Sequence, residues 1–518
     1  MNETAAPLRI QVDKWQRLSP SALIYYIIKF VTAILKQGFQ ALAPLAAIFF
    51  TTGESRWLII SLVLGVVIIL LFLAAFLSFL KFRYRIGHDS FLIQSGVFTR
   101  KRLSLNFDRI QNVAIKEPLY FRPFNTVVLM LESAGSSASE VSLAGIPRAL
   151  AEEIRTTVLN IQKTGLQKKV PRTANGMTDK KTAPQKTTTE LIWLPISELV
   201  RYGLTNNNMW VFASILAGAT AQFDWWEYIP VINIPDFVET PGIKEYLIAG
   251  FMAVSSLFLF IGGLMGLSVA GSIIGYYNYR LIEHPNRRLY RTKGLFEKQE
   301  TSLHIRKIQN LTIKQPWIAV LLKRFNLTLN QVGFGGHNNN GQLKSSPTFI
   351  IPSVTESFLQ NFSELLYPSF SWATLPLNPI SKRYTAKLII YRILPITLIV
   401  SISLTSAFGY KGLYALIMPL LAYPIVEQYR RMFAYCSNGT HGLIQSGFIG
   451  TRRTIIPFFK VQTVELIQSP SQQKHALASL RIKMAGTKIL LPYIPLKDAE
   501  GWRRNILACI ETNKRKWM

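Results

Sequence analysis

Residues 246–278 form a run of 33 without one charged side chain, and residues 57–80 form a second of 24. Each exceeds the roughly 18 to 20 apolar residues that cross a bilayer as a helix, so both are predicted to span a membrane. Four weaker candidates lie within 21–50, 207–223, 393–410 and 412–426. The first contains Lys29 and Lys36, which suits an interfacial helix whose lysines snorkel, followed by a true span over 38–51. The first 20 residues are polar, and no removed signal peptide is expected.

Charge supports six spans in three pairs. Residues 81–190 carry 18 Lys and Arg against 9 Asp and Glu, residues 279–385 carry 14 against 5, and residues 429–518 carry 15 against 4. Residues 221–245 reverse the balance, with five acids and one lysine. Basic segments alternating with an acidic one across apolar runs follow the positive-inside rule, with both termini cytoplasmic. The net charge of +30 is thereby a matter of topology, and nucleic acid is not an expected partner. Cys436 and Cys509 fall on the predicted cytoplasmic side and are expected as reduced thiols.

A repeat organises the basic segments. Gly96 is followed after 15 residues by Gln111 in "RIQNVAIKEP" and after 24 more by Gly135 in "LESAG". The same spacing, without gaps, joins Gly294, Gln309 and Gly333, and again Gly447, Gln462 and Gly486. Each copy then reaches an Ile-Pro pair (Ile146, Ile351, Ile494) that opens an amphipathic run, predicted to be a helix with proline near its first turn. Before that helix the pattern is β-rich, and the first glycine of each frame is predicted to turn a hairpin.

The resulting fold class is a polytopic α-helical membrane protein with three α+β domains. Its parts are a tail (1–20), a first transmembrane pair (21–81), domain 1 (82–162) and a Lys/Thr-rich linker (163–190). A second pair (191–278), domain 2 (279–368) and a linker (369–386) follow. The third pair (387–428), domain 3 (429–512) and a basic tail (513–518) complete it.

The Gly…"RIQNV"…"ESAG" arrangement after paired spans resembles the bacterial pleckstrin-homology-like (PH-like) domain of membrane proteins. Three such units in one chain resemble the YdbT-like family, over nearly the whole length apart from the tail and the linker at 163–190. The resemblance implies a bent antiparallel sheet capped by a C-terminal helix, on the cytoplasmic face of the plasma membrane. It also implies an oligomer, homomeric or with a smaller membrane protein carrying one such domain. It supplies no catalytic residues.

Lipid-binding relatives hold headgroups with basic residues in the first strand loop. Arg100, Lys101 and Arg102 match that place, as do Arg452 and Arg453, whereas the middle copy has Glu297, Lys298, Gln299 and Glu300. Membrane lipids are therefore expected partners, each cation near an acidic leaflet contributing about 1 kcal/mol. Gln111, Gln309 and Gln462 are expected to tie strand to loop. The six histidines have no HExxH spacing, and no Walker loop, dinucleotide fingerprint or nucleophile elbow is present, so no cofactor, metal or enzymatic activity is expected. The leading expectation is a non-enzymatic envelope scaffold or stress-related membrane complex; a component of a transport, export or lipid-handling system is the alternative.

Overall fold

A computed structural model describes residues 13–37, 56–87, 90–97, 99–107, 110–133, 141–167, 189–206, 213, 243–284, 287–331, 349–368, 370, 375–485 and 487–512. One compact unit contains residues 1–191 and 281–303; the other contains 192–280, 304–335 and 345–518.

Each copy contributes six strands and a closing helix. Copy 1 has β2 (Arg83–Ile86), β3 (Ser90–Ser95), β4 (Lys101–Asn106), β5 (Ile110–Pro118), β6 (Thr126–Ser133) and β7 (Val141–Pro147). Copy 2 has β9 (Arg280–His284), β10 (Arg288–Lys293), β11 (Glu297–His304), β12 (Ile308–Gln315), β13 (Phe325–Gln331) and β14 (Phe349–Val354). Copy 3 has β16 (Ala434–Ser437), β17 (His441–Gly447), β18 (Thr451–Pro457), β19 (Val461–Ile467), β20 (Leu477–Met484) and β21 (Thr487–Pro495). Gly96, Gly294 and Gly447 take φ of +107°, +108° and +156° at the hairpin after the second strand, and a Cβ on any of them would overlap the carbonyl oxygen three residues later. That collision is why the frame keeps glycine there in all three copies.

The closing helices Arg148–Gln167, Glu356–Leu366 and Leu496–Thr512 each bury residues at i, i+3 and i+7: Ala151, Ile154 and Val158; Leu359, Phe362 and Leu366; Ala499, Trp502 and Ile506. In copy 1 that face meets Phe91, Leu105, Leu129 and Leu143, and in copy 3 it meets Tyr435, Ile456, Leu480 and Leu491. The Ile-Pro pairs close the last strand instead of opening the helix. Pro352 even lies inside β14, at a sheet edge where its missing N–H costs no ladder bond, and Thr355 caps the helix that follows.

A short strand precedes each helical excursion, in segments that sequence reads as tail or linker: β1 (Trp15–Arg17), β8 (Thr189–Trp193) and β15 (Asn378–Pro379). Each pairs with the first strand after the excursion, as Trp15 with Arg85 and Asn378 with Tyr435, while β8 lies beside β9. The chain therefore leaves a sheet and returns to the same sheet, with the apolar helices between. These are α1 (Ala22–Gln37) and α2 (Arg56–Lys81), then α3 (Ile196–Thr205) and α4 (Ile243–Tyr276).

The third excursion, Arg383–Arg431, is a helical hairpin: Leu394–Phe408 ends at Gly409 with φ +63°, and the chain returns through Met418–Arg431. Ser401 Oγ donates to the Gly412 carbonyl at 3.1 Å, and Thr385 Oγ1 donates to Glu427 Oε2 at 2.9 Å, tying the two limbs at the turn and at the foot. Among the described residues, Leu64–Lys81, Gly250–Tyr276 and Arg383–Arg431 are long and apolar enough to cross a membrane. The expected spans at 38–51 and 207–223 and the acidic loop fall outside the described residues, apart from residue 213 and the last residues of that loop.

The copies do not keep their strands to themselves: the sheets run β1-β2-β3-β4, β7-β6-β5-β11-β10-β9-β8, β14-β13-β12-β18-β17-β16-β15 and β19-β20-β21. The third strand of each later copy adds to the fourth strand of the copy before it, because both are edge strands with unsatisfied backbone groups.

Candidate functional site: strand joints and a basic cavity

Counted from each copy's hinge glycine, the two joints have one register. Residue 4 of the later copy faces residue 21 of the earlier one in both, as Lys298 faces Glu117 and Thr451 faces Gln315.

The first joint is ionic. Arg148, opening the closing helix of copy 1, donates from Nη1 to Glu117 Oε2 at 2.5 Å and from Nη2 to Glu300 Oε1 of copy 2 at 2.9 Å. Tyr290 donates its hydroxyl proton to Glu300, and Arg155 lies over the Tyr290 ring at 4.5 Å from its centroid. Lys298 adds a salt bridge to Glu300 at 3.2 Å. Burial alone would raise the Glu300 carboxyl, but Tyr290, Lys298 and Arg148 together hold its pKa below the ordinary value.

The second joint has no carboxylate in its paired register, which runs Leu311–Ile455, Thr312–Thr454, Ile313–Arg453, Lys314–Arg452 and Gln315–Thr451. Leu311 and Ile455 face each other, both fully buried. Lys460 Nζ, also buried, donates to the Arg306 carbonyl at 2.8 Å and to that of Ile308, reaching from copy 3 into copy 2. Burial brings the Lys460 pKa down to about 8. His441 packs its ring 5.3 Å from Tyr367 and 5.4 Å from Phe370, which follow the closing helix of copy 2. Burial, with Lys460 nearby, lowers its pKa to about 4.

A cavity of about 710 Å³ opens at the foot of the third helical hairpin. Lys382, Arg430 and Arg431 line it beside Glu427, with Ile389, Ile390 and Tyr423 as its apolar wall. Glu427 engages Arg430 at 2.6 Å and Arg431 at 3.2 Å, and Arg430 Nη1 donates to the Ile380 carbonyl at 2.9 Å, so part of the positive charge is internally balanced.

A model of the bacterial PH domain matches residues 37–162, 229–349 and 390–508. The chain belongs to the bacterial PH domain family. Each matched PH segment takes in apolar helix as well as strands, which agrees with a repeating unit of helical excursion followed by sheet. The chain is similar to the UPF0699 transmembrane protein YdbT of Bacillus subtilis (strain 168), 25% identical over 436 residues, 81% of this chain and 83% of that protein. It is also similar to the UPF0699 transmembrane protein YdbS of the same organism, 35% identical over 63 residues, 12% of this chain and 40% of that one.

The basic residues of the first and third PH copies meet different fates. Arg100, Lys101 and Arg102 are exposed, at and beside the edge of β4 that no strand covers among the described residues. Arg452 and Arg453 lie in β18, which β12 covers; Arg452 faces Lys314, and Arg453 Nε donates to Gln445 Oε1 at 2.8 Å. Gln309 is buried and donates to the Lys307 carbonyl at 3.3 Å, whereas Gln462 is exposed on β19. The side chain of Gln111 and residues Gly135, Gly333 and Gly486 lie outside the described residues.

Sequence reasoning missed Glu117, Arg148 and Glu300 at the first joint and His441 and Lys460 at the second. One signal was available: Ile455 and Ile456 break the apolar-polar alternation, as a strand buried on both faces does, whereas "LSLN" in β4 keeps it.

Proposed function

We propose that this chain is a non-enzymatic membrane scaffold, with six spans in three pairs and all sheets on the cytoplasmic side of the plasma membrane, presenting joined PH-like copies to other proteins and to the inner leaflet. The observation that carries the scaffold reading is the repetition of one strand register at both joints, a fixed geometry built from otherwise different side chains. Topology rests on the returning excursions. Because the strand before each excursion neighbours the strand after it, an even number of crossings per excursion is the reading adopted, and the helical hairpin of the third supports it.

Purification from native membranes in mild detergent is expected to yield the chain in a larger assembly or with lipid enriched. Recovery only as bare monomers overturns the scaffold reading. A reporter fused after Trp225 is expected outside and one after Met518 inside; both on one side would overturn the six-span topology.

The cavity at the foot of the third hairpin favours a second reading, a component of a lipid-handling system. Cations beside an apolar wall where an apolar hairpin ends suit an anionic headgroup with its acyl chains along Ile389 and Ile390. Lipid movement by this chain alone in proteoliposomes would raise that reading above the first.

A further inference from the structure

We infer that the free edge of β4 receives β19 from a second copy of this chain, extending the joint register from one molecule to the next; the inference rests on the scaffold reading. Two kinds of edge make the joints inside the chain, the third strand of a later copy and the fourth strand of the copy before it. Among the described residues, no strand pairs with the outer edge of β4, the third strand of copy 1, or with that of β19, the fourth strand of copy 3. The two bare edges are thus the complementary halves of a third joint. A joint between unlike edges closes on a pair where two molecules exchange edges reciprocally, and otherwise runs on as a ring or an open chain.

The shared register fixes the contacts. Residue 4 facing residue 21 sets Arg100 against Gln468, Lys101 against Ile467, Arg102 against Leu466, Leu103 against Glu465 and Ser104 against Val464. No cation of β19 meets the basic stretch in that alignment, and Glu465 falls on the same face as Lys101, one diagonal step away. The second internal joint forms with Arg452 directly facing Lys314, so the edge-to-edge pairing of β4 and β19 is electrostatically easier than one the chain already makes. Main-chain hydrogen bonds supply the attraction, as in other strand additions, and side chains set the register. The basic stretch of copy 1 thereby acquires a protein partner in place of a headgroup.

The test is cysteine cross-linking in native membranes, with two differently tagged full-length chains co-expressed, one carrying Lys101→Cys and the other Ile467→Cys. A short thiol cross-linker is expected to give a band at the mass of two chains that carries both tags. The pair Lys101→Cys with Leu466→Cys, which points to opposite faces, is expected to lose it, and chains with either cysteine alone control for Cys436 and Cys509. Lys116→Cys with Gln299→Cys in one chain occupies the same register positions at the first internal joint and is expected to cross-link within the chain. An internal cross-link without the two-tag band overturns the extension while leaving the joints standing. Failure of the internal pair overturns the joints and the extension together. Capture of Lys101→Cys only by a different protein, such as one with a single PH-like domain, also overturns the pairing of like chains.

Discussion

At the first joint a carboxylate, Glu300, is surrounded by Arg148, Lys298 and Tyr290, whereas the second buries Leu311 against Ile455 at one end of its register. The register is nevertheless the same. Side chains that differ so completely cannot both dictate it; the common cause is the backbone ladder of two edge strands and the hinge glycine that fixes where the later strand begins. The difference teaches that the side chains have been free to specialise, one joint toward ionic bonding and the other toward burial, once the ladder set the alignment.

Perturbing each joint should separate the two chemistries. The largest effect is expected at the second joint, where Leu311→Ala removes a fully buried side chain and costs about 2–5 kcal/mol. Thermal unfolding in detergent should show this loss at low and high salt alike; a loss that salt abolishes would break the comparison. At the ionic joint, Glu300→Ala leaves Arg148 and Lys298 without their shared partner. Because both cations are partly solvated, the cost is expected to be smaller, about 2 kcal/mol. A cycle with Arg148→Ala should reveal coupling between the two, and independent, additive losses would show that the network does not hold the joint.

The smallest effect concerns pH and only the second joint. His441 is held neutral, with its folded pKa about 4 against an ordinary 6.5. Between those values the unfolded chain binds the proton more readily, so stability falls as pH drops through that window, by about 1 kcal/mol at roughly pH 5.5. His441→Phe should flatten the dependence between pH 6.5 and 4, and an unchanged slope would assign it to other groups.

Much of this architecture was legible in the chain, and the reasons are local. Charge-free runs, the i, i+3, i+7 faces of the closing helices and glycines that cannot carry a Cβ all declare themselves within a few residues. Pairing between copies does not. "TRKRLSLNF" at β4 and "TRRTIIPFF" at β18 open alike on Thr-Arg and a second cation, yet among the described residues one edge is bare and the other covered, because what covers an edge comes from a distant strand. The short strands β1, β8 and β15 escaped for a related reason, being two to five residues long and ordered by partners across a whole helical excursion. The shared "PIS" at residues 195–197 and 379–381, just after two of them, was the available hint. Likewise, the ionic cluster at the first joint gathers Glu117, Arg148 and Glu300, which no spacing rule would group.

The pairing of strands across copies also has a consequence for synthesis. When β5 leaves the ribosome its natural neighbour, β11, does not yet exist, and the entire second helical excursion must be made and inserted before it does. The same delay separates β12 from β18. Each newly made copy therefore waits with one adhesive edge open while the machinery that inserts helices works on the next, so the pace of insertion governs how long a nascent molecule is exposed to the wrong neighbour.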